Sequence, residues 1–242
     1  MIAELTQSGS KLYEHDTRNI PMVSVDLSRV KFLEDHLGTA NGFVRAYKEK
    51  VNSNLKGKHF IVWGYGKVGS GIVRGLLHEG AQCTVVDVSS KALERASLKG
   101  ANCVSPSDKN NLIQVIAQAD VLVTATGVAS CISQSEYGKV IADSDLTLAN
   151  MGAEDEFGAL FSRDRVLHSK LPFNFSLREP TLMKFLDPVF YAHNRCLQLF
   201  VEGRLQNGFQ GLPPEEDLKI VTEWQTYWGE DVSEIWEDQF VR

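Results

Sequence analysis

Three glycines near residue 66 have the spacing of a phosphate-binding turn. Gly64, Gly66 and Gly69 form a Gly-x-Gly-x-x-Gly pattern that begins at the end of the apolar run His59–Gly64. In such a turn the first glycine permits a sharp bend, the second lets a pyrophosphate approach the backbone, and the third lets the next helix pack closely. The phosphates would contact unpaired N–H groups at the helix N-terminus. The pattern therefore predicts a dinucleotide site.

An acidic residue in the next strand predicts which dinucleotide binds. Asp87 lies in the β-branched run Cys83–Val88, eighteen residues after Gly69. A carboxylate at this place accepts hydrogen bonds from the adenosine ribose hydroxyls and repels a 2′-phosphate, which favours NAD over NADP. The alternative is a glycine-rich turn that has lost its nucleotide, and the spacing of Asp87 argues against it.

Two later strands end in small and polar residues. Thr124–Gly127 follows the predicted strand Asp120–Thr124, and Asn150–Gly152 ends the predicted strand Leu146–Met151. Because the carboxyl ends of parallel strands line the ligand crevice of a doubly wound sheet, both clusters are expected beside the nicotinamide half of the dinucleotide. The alternative, small residues that only end strands, stays open.

The elements around these motifs alternate between strands and helices. Helical periodicity is present at Val68–Glu79, Lys91–Leu98 and Leu112–Ala117, between the predicted strands. This alternation predicts an α/β fold, a Rossmann-type doubly wound parallel sheet with N-terminal and C-terminal helical extensions. The predicted segments are an N-terminal arm and helix (1–56), a dinucleotide-binding Rossmann domain (57–176) and a C-terminal helical extension (177–242).

The flanking segments carry their own predictions. Residues 1–20 are polar and rich in turn-forming residues, and a loosely held arm is expected there. The remaining predictions are an extended piece at Ile20–Asp26, a helix opening at Ser28, a strand at Arg165–His168, a helix that starts at Asp187-Pro188 and ends near Glu202, a loop at Gly208–Pro214, and a last helix at Glu215–Trp228.

Composition limits the classes of partner. The 242 residues are 43% hydrophobic and carry a net charge of −6, without a block of like charges. This mild acidic excess is not the footprint of a protein that binds nucleic acid or an anionic membrane. Four cysteines are scattered without metal-ligand or disulfide spacing, and the N-terminus does not have a signal-peptide pattern. A cytoplasmic protein with a small-molecule substrate is expected.

The order and spacing of these motifs resemble a known family. Gly57-Lys58, GYGKVGSG at 64–71, Asp87, TATG at 124–127 and NMG at 150–152 resemble the NAD domain of adenosylhomocysteinase. The resemblance covers roughly residues 20 to 200 and implies NAD as the cofactor. The residues it implies for NAD binding are Gly64, Tyr65, Gly66, Lys67, Val68, Gly69, Asp87, Val88, Ala125, Thr126, Gly127, Met151, Gly152 and Asn174.

Several departures from the family concern its catalytic groups. The family's catalytic lysine corresponds to Arg29, and its two histidines correspond to Ala153 and Asp187. An arginine stays protonated and is a poor general base. Residues 1–57 are also too few for the family's large N-terminal substrate domain. Hydrolysis of adenosylhomocysteine is therefore not expected.

Hydride transfer requires one acid or base besides the nicotinamide. The polar residues considered for that role are His193, Glu156, Asp35 and Lys31. We expect an NAD-dependent oxidoreductase that acts on a small polar substrate, through a transient oxidation if the resemblance extends to mechanism.

Two other functions are open. The first is a non-catalytic NAD(H)-binding module or partner subunit, which the loss of the family's lysine and histidines favours. The second is a 2-hydroxyacid dehydrogenase-like enzyme, which ranks last because Ala153 stands where such enzymes carry an arginine. A homodimer is also expected, because the C-terminal segment presents several aromatic residues that need a cover: Trp224, Tyr227, Trp228 and Trp236.

Overall fold

The computed structural model describes residues 1–232, so Trp236 lies outside the described residues. The elements in chain order are β1 (Ile2–Glu4), α1 (Gln7–Glu14), β2 (Pro21–Ser24), α2 (Arg29–Leu33), a π-helical turn (Glu34–Thr39), α3 (Ala40–Lys50), β3 (His59–Trp63), α4 (Lys67–His78), β4 (Gln82–Val86), α5 (Ser90–Leu98), β5 (Asn102–Val104), α6 (Lys109–Gln118), β6 (Val121–Thr124), α7 (Cys131–Gln134), α8 (Gly138–Ala142), β7 (Thr147–Asn150), α9 (Met183–Val201), β8 (Gly208–Gly211) and α10 (Pro214–Trp228).

The unit formed by Thr39–Thr181 is a doubly wound parallel sheet. Its five strands lie in the order β5-β4-β3-β6-β7, and every neighbouring pair is parallel. The chain moves outward from β3 through β4 and β5, then crosses to the other side of β3 at β6. The α/β prediction is confirmed, and the reversal between β3 and β6 marks the edge where such folds bind ligands.

Both faces of this sheet are covered. Phe60 and Val62 of β3 belong to one buried apolar cluster, and Ile61 and Trp63 belong to another. Because successive side chains of a strand point to opposite faces, a strand covered on both sides is apolar throughout. This explains why β3 is a continuous apolar run.

The second unit is formed by Met1–Gly38 and the residues from Leu182 onward. It contains a three-stranded parallel sheet in the order β1-β2-β8, in which Met22 pairs with Ile2 and Phe209. The predictions of a loose N-terminal arm and of a loop at 208–214 were therefore wrong. These strands pair with segments far away in sequence, which local periodicity does not reveal. The two units also divide the chain differently from the three predicted segments.

Helix α9 begins at Met183, so the predicted start at Asp187 was wrong and Pro188 lies inside the helix. A proline cannot donate to the carbonyl four residues earlier, and that group would be left without its helical partner. Here the indole Nε1–H of Trp224 donates to the Lys184 carbonyl oxygen at 2.6 Å. The tertiary contact replaces the missing helical hydrogen bond and explains why the helix tolerates Pro188.

Two more features differ from or extend the predictions. The predicted strand at Arg165–His168 is wrong, since two short 3-10 turns, Arg163–Arg165 and Leu167–Lys170, occupy that region. The helix opening at Ser28 is confirmed, with the Ser28 hydroxyl accepting from the Lys31 N–H at 3.1 Å. Within the described residues, no helix combines the length and the apolar character that crossing a membrane requires.

Candidate functional site

The carboxyl ends of four strands of the Thr39–Thr181 unit adjoin one another. Backbone hydrogen bonds continue past the strands, from Gly64 N–H to Val86 O at 2.8 Å, from Ala125 N–H to Trp63 O at 2.8 Å, and from Met151 N–H to Thr124 O at 2.8 Å. The structure thus brings together the glycine turn, the segment after β4, and the ends of β6 and β7.

Each glycine of the turn is required for a distinct geometric reason. Gly64 has a φ of +102°, and a Cβ there would lie 2.6 Å from the Ala125 carbonyl oxygen. A Cβ on Gly69 would lie 2.0 Å from the Gly64 carbonyl oxygen, so α4 can pack this closely only without a side chain. A Cβ on Gly66 would have no atom within 4 Å. Of the three, Gly66 alone faces open space, which is where a pyrophosphate needs room.

The N-terminus of α4 lies at this open space. Gly66 is its N-cap and offers no side-chain hydrogen bond to the first turn. The N–H groups of a first turn have no partner within the helix, and the helix dipole adds positive potential. The charge of such a helix N-terminus suits an anionic group such as a dinucleotide pyrophosphate.

Asp87 lies beside the turn. Its Oδ2 accepts a hydrogen bond from the Tyr65 N–H at 2.7 Å, and its Oδ1 accepts one from the Ser89 N–H at 2.8 Å. A carboxylate has about four lone-pair positions, so capacity remains for ribose hydroxyls. Tyr65 is itself buried and Val88 is 89% exposed.

Glu156 holds the segment after β6. Its side chain is fully buried, and its Oε1 accepts hydrogen bonds from the N–H groups of Thr126 at 3.0 Å and Gly127 at 2.6 Å. Burial raises the pKa of Glu156, while the hydrogen bonds from Thr126 and Gly127 oppose that rise. A Cβ on Gly152 would lie 2.0 Å from the same Oε1. The carboxylate therefore joins the ends of β6 and β7.

Asn150 fixes the loop that follows β7; the sequence placed it in the cluster at 150–152 but did not assign it a role of its own. Its Nδ2 lies within hydrogen-bonding distance of the carbonyl oxygens of Gly152, Glu154 and Lys170, at 3.1, 2.8 and 2.7 Å. Its Oδ1 accepts from the Thr124 hydroxyl at 3.1 Å. Beyond the end of the sheet, the fully buried Asn150 amide thus supplies the hydrogen bonds that strand pairing would otherwise supply.

The backbone near this amide is strained. His168, Ser169 and Lys170 have φ values of 53°, 54° and 70°, a left-handed run of residues other than glycine. Each such residue costs roughly 1–2 kcal/mol. The Lys170 ammonium donates to Asp155 Oδ2 at 3.0 Å and to the Gly158 carbonyl at 2.7 Å, which offsets part of this cost.

Asn174 follows this run and shows an incomplete set of contacts. It is 3% exposed, and within the described residues its Oδ1 has no hydrogen-bond partner. A buried amide oxygen without a donor is costly, which makes such an atom a place for a ligand group. The NAD contact of Asn174 stays a prediction.

The predicted acid and base groups fall in different units. Glu156 belongs to the same unit as the glycine turn, whereas Lys31, Asp35 and His193 belong to the other unit. The Lys31 ammonium lies 2.5 Å from Glu34 Oε2 and 3.2 Å from Asp35 Oδ1. Burial alone would lower the pKa of Lys31, but the Asp35 and Glu34 charges raise it overall. His193 Nε2 lies 3.4 Å from the Ala3 carbonyl oxygen.

The chain is similar in sequence to a family of known proteins. The family model described as "S-adenosyl-L-homocysteine hydrolase, NAD binding domain" matches residues 36–207. The chain is 25% identical over 198 residues to an adenosylhomocysteinase of Thermoplasma volcanium, covering 81% of this chain and 44% of that protein. It is 30% identical over 188 residues to an S-inosyl-L-homocysteine hydrolase of Methanothermobacter thermautotrophicus, covering 77% and 41%.

The chain therefore spans about two fifths of the length of these curated relatives. Among solved structures, a dipicolinate synthase subunit from Bacillus halodurans is 13% identical, with a TM-score of 0.41 and coverage of 83% of this chain and 56% of that one. This structural likeness is too low to carry an argument.

Proposed function

Because this chain belongs to the NAD-binding domain family of S-adenosyl-L-homocysteine hydrolase, we propose that it is an NAD-dependent oxidoreductase acting on a small polar substrate. Its cofactor is NAD. The observation that carries the proposal is the carboxyl edge of the sheet, where Glu156 and Asn150 hold the segments that would support the nicotinamide. The names of the relatives suggest a nucleoside derivative as the substrate class.

The chain's residues have separate tasks in this proposal. The first turn of α4 binds the pyrophosphate, and Asp87 accepts hydrogen bonds from the ribose hydroxyls. The buried Oδ1 of Asn174 accepts a hydrogen bond from the cofactor. Bound NAD supplies a hydride acceptor. Glu156 orients the Thr126–Gly127 backbone.

A proton acceptor for the substrate is still required. The Lys31 ammonium is held between two carboxylates and is a poor base in that state. The Glu156 carboxylate is occupied by backbone N–H groups. Among the predicted candidates, this leaves His193 and Asp35, and we propose His193 because an imidazole ring can both accept and donate a proton.

Hydrolysis of adenosylhomocysteine is not part of the proposal. Arg29 has its guanidinium 3.6 Å from Asp217, Ala153 is exposed, and Asp187 is an exposed residue of α9. None of these side chains supplies the neutral amine or imidazole that the corresponding family positions supply. Each missing general acid or base removes about 10²–10⁴-fold in rate.

A second candidate is a non-catalytic NAD(H)-binding module. The observation in its favour is Glu156, the one predicted acid or base in the same unit as the glycine turn, which is used to hold the loop after β6. Such a module would bind NAD(H) without catalysing a reaction, and a partner protein would recognise the NAD(H)-bound form.

A substrate screen distinguishes the two candidates. Purified protein is incubated with NAD and a panel of nucleosides, sugars and amino-acid derivatives, adenosylhomocysteine included, and NADH absorbance and homocysteine are measured. The proposal expects NADH formation with one substrate class, loss of it in His193→Gln, and no homocysteine. Homocysteine release would contradict the proposed loss of hydrolysis. If NAD binds but no compound causes a redox change or isotope exchange, the oxidoreductase proposal would be wrong and the non-catalytic binding module would take its place.

Compartment and assembly are also proposals. All four cysteines are free thiols, which supports a reducing compartment such as the cytoplasm. A homodimer is supported by the exposed apolar residues Phe190 and Leu197 on α9, whereas Trp224 is buried within its own unit and needs no partner chain.

A further inference from the structure

A groove of about 310 Å³ lies between α9 and α10, within the unit formed by residues 1–38 and 182 onward. It belongs to neither the glycine turn nor the sheet edge described above. Four aromatic side chains and two carboxylates are its principal lining residues: Asp187, Tyr191, Glu223, Trp224, Tyr227 and Trp228.

The aromatic rings differ in how they are held. Trp224 is 4% exposed and is fixed by its hydrogen bond to the Lys184 carbonyl, so the inner wall is rigid. Tyr227 and Trp228 are 80% and 45% exposed, and their ring centroids are 5.1 Å apart at an interplanar angle of 81°. Packing in the core does not account for these two rings or for the half-exposed Tyr191.

The charge of the groove is negative. Among residues 1–232, no ion pair or hydrogen bond engages the Asp187 carboxylate, and Glu223 meets Lys219 only at 4.0 Å. The nearby Lys184 is already paired with Glu230 at 2.8 Å. A neutral apolar ligand would leave the Asp187 charge uncompensated, whereas a cation would neutralise it.

We propose that this groove binds an organic cation with an alkylated ammonium group. Aromatic faces attract such cations through their quadrupoles, and the alkyl groups of the cation replace water against the rings. The two carboxylates supply long-range attraction and select against neutral molecules of equal shape. The proposal stands independently of the redox function, because none of its residues is part of the NAD site.

The test uses tetramethylammonium chloride as the probe and tert-butanol as a neutral control of similar shape. Ligand-observed saturation-transfer NMR on the full chain measures whether protein protons contact the probe's methyl groups. The proposal expects transfer to tetramethylammonium, saturable with concentration, and at least about threefold weaker binding of tert-butanol. Equal binding of the two, or binding of neither, would overturn it.

Variants locate the site. Tyr227→Ala and Asp187→Asn are each expected to weaken tetramethylammonium binding at least about threefold, the effect of one cation–aromatic or charge contact. Leu218→Ala on the same helix, at an exposed position outside the groove, is the matched control and is expected to bind like wild type. Unchanged binding in Tyr227→Ala and Asp187→Asn would place the probe elsewhere and contradict the proposal. The proposal would also be contradicted if Tyr227→Ala converted an oligomer to a monomer, because the groove would then be a contact between copies of the chain.

Discussion

At the residue scale, we propose that a single carboxylate, Asp87, decides the choice between NAD and NADP. Its two oxygens accept from Tyr65 and Ser89 N–H groups, which fixes the charge where the adenosine ribose of a dinucleotide would lie. We expect wild-type protein to bind NAD more tightly than NADP. Asp87→Ala should cost NAD affinity about 1–3 kcal/mol, the value of a charge-assisted hydrogen bond.

Calorimetric titration with both nucleotides checks this expectation. Asp143→Ala is the matched control, because its carboxylate is exposed and pairs with Lys139 of the same helical turn. Equal or tighter NADP binding by the wild type would show that Asp87 does not exclude a 2′-phosphate.

Glu156 is the residue whose role is most sharply testable. In Glu156→Gln one oxygen becomes an NH₂ group facing the backbone donors of Thr126 and Gly127. We expect a loss of about 1–3 kcal/mol in unfolding free energy, because a buried donor is left without an acceptor. NAD affinity should fall with it, since the loop after β6 loses its support.

Urea unfolding and NAD calorimetry measure the two effects, and Glu154→Gln, an exposed position in the same loop, is the control. Unchanged stability and NAD affinity in Glu156→Gln, combined with lost turnover, would instead support the catalytic role predicted from sequence.

At the residue scale, the sequence alone was enough to predict the roles of the glycines, but it was not enough to predict the role of Asn150. A glycine's task follows from spacing alone, because the turn geometry demands it at Gly64 and Gly69. The contacts of Asn150 and Glu156 depend on the path of residues 151–170, which has neither helical nor strand periodicity. A side chain's partners in such a segment are set by tertiary structure.

At the scale of elements, the central strands and helices were predictable and the outer sheet was not. β3, β4, β6 and β7 are apolar runs closed by turn residues, so their pattern is local. β8, with the sequence Gly-Phe-Gln-Gly, forms a strand because it pairs with β2 far away in the chain. Pro188 similarly suggested a helix start, because the compensating contact from Trp224 comes from another element.

Helices α9 and α10 are joined by an ion-pair network centred on Glu216. Its carboxylate accepts from Arg195 at 2.9 Å and from Arg204 at 2.8 Å. Hydrogen bonds from Arg195 lower the pKa of Glu216 from 4.5 to about 2, against the opposing effect of burial. Since the folded-state value lies below the unfolded one, this contribution to stability is complete above the unfolded value and is lost as pH falls towards the folded value.

Thermal unfolding as a function of pH tests the network. Wild type should be more stable than Glu216→Gln near neutral pH, and the difference should narrow as pH falls below roughly 4.5. Glu14→Gln, an exposed residue of α1, is the control. A difference that stays constant down to acid pH would show that the charge of Glu216 contributes nothing to folding.

At the scale of the whole molecule, α9 has two apolar faces. One contributes Phe185, Val189 and Cys196 to the core of its unit. The other remains exposed in the single chain, with Phe190 at 46% and Leu197 at 58%. An exposed apolar stripe of this kind is typical of an interface between subunits.

We therefore expect a homodimer, and Leu197→Glu should shift it towards monomer by placing a charge in the contact. Light scattering at micromolar concentration measures the mass, with Leu98→Glu on α5, also exposed, as the control. A monomeric mass for the wild type would refute the dimer.

The central claim is that the open space at Gly66 receives the dinucleotide pyrophosphate. Gly66→Ala tests it directly, because Gly66 has a φ of −80° and a Cβ there would have no protein atom within 4 Å. The fold should be unaffected, yet the methyl group would occupy the phosphate's place. Gly211→Ala, whose nearest contact would be Leu27 Cβ at 3.9 Å, is the matched control.

Calorimetric titration of NAD into the three proteins, each with its unfolding temperature measured, is the deciding experiment. We expect wild type and Gly211→Ala to bind NAD equally, and Gly66→Ala to bind at least about tenfold more weakly, roughly 1.4 kcal/mol, with an unchanged unfolding temperature. Equal NAD affinity in Gly66→Ala and wild type would contradict the placement of the cofactor at this turn.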